Sequence, residues 1–228
     1  QIVRENLCTL FNFLNFLIAV LLFLVAYIVI MGVPNLKPAL FSLEYTSENA
    51  SMLPALINTV IMTVMSLVVA VPVGIFSAIY LVEYAKRGNK LVGVVRITAE
   101  TLSGIPSIVY GLFGYLFFGV SLGWSYSMIG GALTMSIMIL PLIMRTTEEA
   151  LMSVPDSFRE GSFGLGAGKL RTIVKVVLPN AMNGILTSVI LSIGRIVGET
   201  AAIIYTMGSS VSMPDGIMSA GRSLSVHL

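Results

Sequence analysis

Arg195 and Glu199 stand in the run Gly194-Arg195-Ile196-Val197-Gly198-Glu199-Thr200, inside an otherwise apolar block over residues 181–207. If that block is one membrane helix, Arg195 falls close to its middle, where a charge of this kind costs about 2.5–3.5 kcal/mol to insert. Two chemistries answer that cost. A spacing of four places both side chains on one helical face, where they can neutralise each other, with Gly194 and Gly198 as a G-x-x-x-G packing seam. Alternatively, Arg195 offers its planar fork to an oxyanion crossing the membrane, because guanidinium binds phosphate-like groups through two hydrogen bonds and is less strongly hydrated than ammonium. Glu199 then orients the arginine and keeps the empty site from trapping its ligand. Arg145, at the end of a block over 128–144, and the i,i+4 neighbours Arg96 and Glu100 read as interfacial charges that reach toward water.

A second constellation lies in the polar stretch 153–179, far longer than a tight helical hairpin needs. Glu160 is followed by the small residues Gly161 and Ser162, then by Gly166, then by Val176-Val177-Leu178-Pro179. Small side chains at Gly161, Ser162 and Gly164 permit close approach by another protein, and Phe163 and Leu165 offer apolar anchors. The glycines at 164, 166 and 168 with Lys169 mimic a phosphate loop, but G-x-x-x-x-G-K-[ST] fails at both ends. Phe163 replaces the first glycine and Leu170 the magnesium-binding hydroxyl. The chain therefore reads as no enzyme and holds no ATPase site of its own. One cysteine, Cys8, and one histidine, His227, are too few for a Cys/His zinc cluster, and no cofactor is implied.

These residues are carried by elements built for lipid. The 228 residues are 56% hydrophobic and 11% charged, with mean hydropathy +0.95, whereas soluble domains carry about 25% charged residues. Five apolar blocks, over residues 10–31, 52–82, 92–120, 128–144 and 181–207, approach or exceed the roughly 20 residues a helix needs to span hydrocarbon. No period-2 alternation is present, so the fold class is an all-α integral membrane protein, one transmembrane domain over 1–228. Pro72 and Pro106 mark places where the second and third helices would bend. A net charge of +2 gives no reason to expect nucleic acid.

Lys and Arg placement orients the spans. Lys86, Arg87, Lys90, Arg96, Arg145, Arg159, Lys169, Arg171, Lys175 and Arg4 fall on one side, Lys37 and Arg222 on the other. The positive-inside rule makes the N-terminus and the stretch 153–179 cytoplasmic, and puts Trp124 and Tyr126 at the outer interface. An odd number of spans leaves the last residues outside, so a sixth span is expected beyond residue 228.

The Glu160 to Pro179 spacing resembles the EAA loop of permease subunits of bacterial ABC importers. Most of the chain is similar to PstA-type permeases of the phosphate importer. The matching runs are Ala78-Ile79-Tyr80-Leu81-Val82-Glu83-Tyr84-Ala85, Ser103-Gly104-Ile105-Pro106-Ser107-Ile108-Val109-Tyr110-Gly111-Leu112-Phe113-Gly114, Glu149-Ala150-Leu151 with Val154-Pro155, and Gly198-Glu199-Thr200-Ala201-Ala202. The resemblance implies a type I ABC importer permease of the bacterial inner membrane. It implies phosphate as substrate, with Arg195, Glu199 and Arg145 on its route. It also implies a second permease subunit as heterodimer partner, an ATP-binding subunit dimer on the cytoplasmic side and an extracytoplasmic phosphate-binding protein. In that family the loop forms a short helix that docks in a cleft of the ATPase and transmits its motion to the membrane helices, so residues 160–166 (Glu160, Gly161, Ser162, Phe163, Gly164, Leu165, Gly166) are implied to be that docking element. A sulfate or molybdate permease, an ion-coupled secondary transporter using Arg195 and Glu199, and a non-transporting membrane scaffold are the competing expectations.

Overall fold

The computed structural model describes residues 2–35, 37–43, 45–46, 49–86 and 88–227, and for residues 2–10 the backbone alone. Arg87 and the side chain of Arg4, both counted in the charge balance, lie outside the described residues. All regular structure among the described residues is helical.

Helix α1 (Ile2–Gly32) presents an apolar stretch, Phe11–Asn35, with none of its hydropathic window buried. Helix α2 (Leu53–Ile79) has Pro54 in its first turn, where the missing N–H costs nothing, and accommodates Pro72 without a break. It runs on through a π turn, Tyr80–Tyr84. Helix α3 (Lys90–Ser103) starts where the Asn89 side chain accepts from Leu91 N–H at 3.0 Å. Helix α4 (Ser107–Gly114) continues into a second π turn, Tyr115–Ser121. The axes of α3 and α4 differ by 100°, so the block 92–120 is not the single span expected from its hydropathy. The cause is local. Pro106 cannot donate to the Leu102 carbonyl, which accepts instead from Ile105 N–H at 3.1 Å and from the Tyr110 hydroxyl at 2.8 Å.

Helix α5 (Met128–Met152) begins at Ser127, whose hydroxyl oxygen accepts from Gly130 N–H at 3.2 Å. The connecting stretch 153–179, where the resemblance implies a short helix, is mostly helical. Helix α6 (Asp156–Gly164) is followed by a turn through Gly166 at φ +80°, then by α7 (Lys169–Thr172) and a third π turn, Ile173–Val177. That π turn leads into α8 (Leu178–Val197), giving one apolar run, Lys169–Val197. Pro179 lacks the N–H that an α-helical Lys175 carbonyl would use, and Leu178 N–H reaches back to Ile173 instead. The block 181–207 is also interrupted. Helix α8 stops at Val197, and a six-residue helix, α9 (Ala201–Thr206), begins after Gly198, Glu199 and Thr200. The last element is α10 (Leu224–His227). Among the described residues, four helices are long and apolar enough to cross a membrane, or five if the bent pair counts as one span.

Helix α5 is the centre of the packing, lying against α2 and α8, while α4 packs on α9. Met62, Met135, Ile139, Ile143, Ile196 and Ile203 are buried among these helices. In lipid such contacts gain little from water exclusion, so close fit and hydrogen bonds matter more. Ser66 donates to the Ala132 carbonyl at 3.1 Å and Ser136 to the Ser66 carbonyl at 3.0 Å, stitching α2 to α5. Gly111 brings α4 onto α9: a Cβ there would stand 2.8 Å from Ala202 Cα.

Candidate functional site

The break between α8 and α9 changes how Arg195 and Glu199 relate. Arg195 lies in the last turn of α8, not at mid-helix, and Glu199 is past the helix end. No ion pair joins them, contrary to the i,i+4 pairing expected for a continuous helix. Glu199 has another task. Its Oε1 accepts from Ala202 N–H at 3.1 Å, capping α9 at its positive end, and its carbonyl accepts from the Ser225 hydroxyl at 2.5 Å. The half-buried Arg195 has no carboxylate partner among the described residues. It lies within electrostatic reach of Tyr110, the residue that closes the α3–α4 bend. Two helix breaks and one unneutralised guanidinium thus share a region. Gly194 forms no packing seam with the described residues, since a Cβ there would meet nothing among them within 4 Å.

Charges at the other end of α5 are paired. Arg96 of α3 binds Glu148 of α5. Arg145 lies 3.5 Å from Glu100 and 3.3 Å from Glu149, both well exposed. Arg96 and Glu100 therefore reach across to α5 instead of pairing along α3. Beyond them, Arg159 of α6 donates to Glu83 Oε1 from Nε at 3.0 Å and from Nη2 at 2.8 Å. It also donates to the carbonyls of Val154 at 2.7 Å and Leu151 at 2.9 Å, and to Asp156 at 3.3 Å. The Arg159 and Glu83 side chains retain only 14% and 8% of their exposure.

The stretch expected to dock a partner is presented outward. Glu160, Gly161, Phe163, Gly164, Leu165 and Gly166 are exposed, Leu165 at 91%. A Cβ at Gly161, Gly164 or Gly166 would meet nothing within 4 Å. Ser162 faces inward, its hydroxyl 2.8 Å from that of Thr172. Sequence reasoning missed Tyr110, Glu83 and Glu148. A carboxylate ending an otherwise apolar block, as Glu83 does, is the signal that could have found the second.

Residues 70–226 match the family described as binding-protein-dependent transport system inner membrane component. The chain is 34% identical over 230 residues to the probable ABC transporter permease protein YqgI of Bacillus subtilis, covering 92% of this chain and 76% of that one. It is 41% identical over 159 residues to the phosphate transport system permease protein PstA 1 of Mycobacterium tuberculosis, covering 70% of this chain and 52% of the relative. The chain thus spans about half the length of that second relative. Among solved structures, an inward-facing conformation of the MetNI methionine ABC transporter superposes with TM-score 0.54 at 24% identity, covering 64% of this chain and 67% of that one. At that identity the likeness speaks for the fold.

Proposed function

Because the chain belongs to the binding-protein-dependent transport system inner membrane component family, we propose that it is the PstA-type permease through which an ABC importer moves inorganic phosphate into the cytoplasm. Phosphate is favoured by relatives that carry that name. The observation that carries the mechanism is Arg195, a half-buried guanidinium beside two helix breaks and without a carboxylate partner among the described residues. Such a fork can match phosphate with two charge-assisted hydrogen bonds. Glu199, occupied as a cap of α9, shapes the break and does not compete for the arginine. Arg145 lies at the α3–α5 end of the route, on carboxylates exposed enough to release it.

In this reading α6 docks on a separate ATP-binding subunit at the cytoplasmic face. Phe163 and Leu165 supply apolar contact, Gly161 and Gly164 supply clearance, and Gly166 supplies the turn. A second permease completes the pathway and an extracytoplasmic binding protein delivers the anion. The test is uptake of radiolabelled phosphate by the reconstituted transporter. ATP-dependent uptake that excess sulfate or molybdate fails to compete away supports phosphate. Equal competition would move the assignment to another oxyanion, and uptake driven by an ion gradient without ATP would make the protein a secondary carrier.

A further inference from the structure

Of the nine residues of α6, only Arg159 and Ser162 are withdrawn from the surface, and their i,i+3 spacing sets them on one face. Ser162 reaches α7. Arg159 reaches two membrane helices together: Glu83 in the π turn that ends α2, and carbonyls at the end of α5. The fork gives two hydrogen bonds to one carboxylate oxygen while Nη1 and Nη2 also hold carbonyls, so α6 cannot rotate or lift without disturbing both helices. An apolar contact would attach α6 as well. Burying a charged pair is costly, and its best-attested use is to hold one particular arrangement.

The elements receiving these contacts share a second feature. Glu83 lies in the π turn Tyr80–Tyr84, and α6 also packs against the π turn Ile173–Val177 that leads into α8. Such π turns are rare and recur at functional sites. We propose that Arg159 and Glu83 form the latch that carries movement of α6 into α2 and α5, so that their pairing serves coupling and not docking. This rests on α6 being the element that binds the ATPase subunit. Arg159 and Glu83 are positioning residues, distant in the fold from Arg195.

The experiment uses the complete transporter in proteoliposomes, with two readouts: the ATPase subunit retained on purification, and phosphate imported per ATP hydrolysed. Glu83→Gln keeps the size and an acceptor oxygen while removing the charge. It should retain the ATPase subunit and its hydrolysis, while phosphate per ATP falls about tenfold. Arg159→Lys, with one ammonium in place of the fork, should fall less. The exchanged pair Arg159→Glu with Glu83→Arg should recover part of the ratio lost by Arg159→Glu alone. An unchanged ratio in Glu83→Gln overturns the latch. So does loss of the ATPase subunit in step with uptake, or an exchanged pair no better than its single variants. Phe163→Ala with Leu165→Ala separates the two ideas: if the ATPase subunit stays bound and coupled in that variant, the docking role of α6 fails and the latch with it.

Discussion

The two ends of the charged apparatus are built on opposite plans. At the α5–α6 end, Arg96, Arg145 and Arg159 each meet a carboxylate. At the break between α8 and α9, Arg195 meets none among the described residues, although Glu199 is four positions away. A paired, hydrogen-bonded cation fixes one geometry, whereas a cation left without its opposite charge inside a membrane protein must be compensated by something else. That contrast supports the proposal that the buried Arg159 pair transmits movement while Arg195 holds the moving anion.

The largest effect that could break this contrast is expected from Arg195→Gln. Losing a bidentate charged contact costs about 1.5–3 kcal/mol, or roughly 10- to 150-fold in phosphate uptake at limiting substrate, with the complex still assembled. Arg195→Lys keeps the charge and loses the fork, so a smaller loss of about tenfold is expected in the same uptake assay. Gly166→Val forces a β-branched residue into φ +80° and costs about 1–2 kcal/mol locally. It should lower retention of the ATPase subunit on purification while the helices still insert. Arg145→Ala removes only exposed ion pairs and should change assembly by less than about 1 kcal/mol. An uptake loss from Arg145→Ala as large as that from Arg195→Gln would erase the distinction between the two ends.

Much of this architecture can be seen in the residues themselves. Apolar length announces the helices, Pro106 announces the bend, and the spacing from Glu160 to Pro179 announces the α6 region. The missed features depend on contacts or on a choice that composition leaves open. Gly198 is compatible with a continuous membrane helix, so an i,i+4 ion pair at Arg195 and Glu199 was the natural expectation. Only the Glu199 cap on Ala202 N–H reveals that the helix restarts. Arg159 was readable as one more topology-setting charge, because Glu83 lies 76 positions away in sequence. Tyr110 became meaningful only through the Leu102 carbonyl that Pro106 leaves without its helical donor.

The most direct measurement compares phosphate uptake by Arg195→Gln with uptake by the double variant Arg195→Gln, Glu199→Gln. If Arg195 serves the anion and Glu199 serves the α9 N-terminus, removing both charges restores nothing, and the double variant stays at or below the level of Arg195→Gln. If the two form a structural pair whose only requirement is mutual neutrality, two amides replace it, and the double variant returns to the parental rate. That result would contradict the assignment of Arg195 to the transported anion.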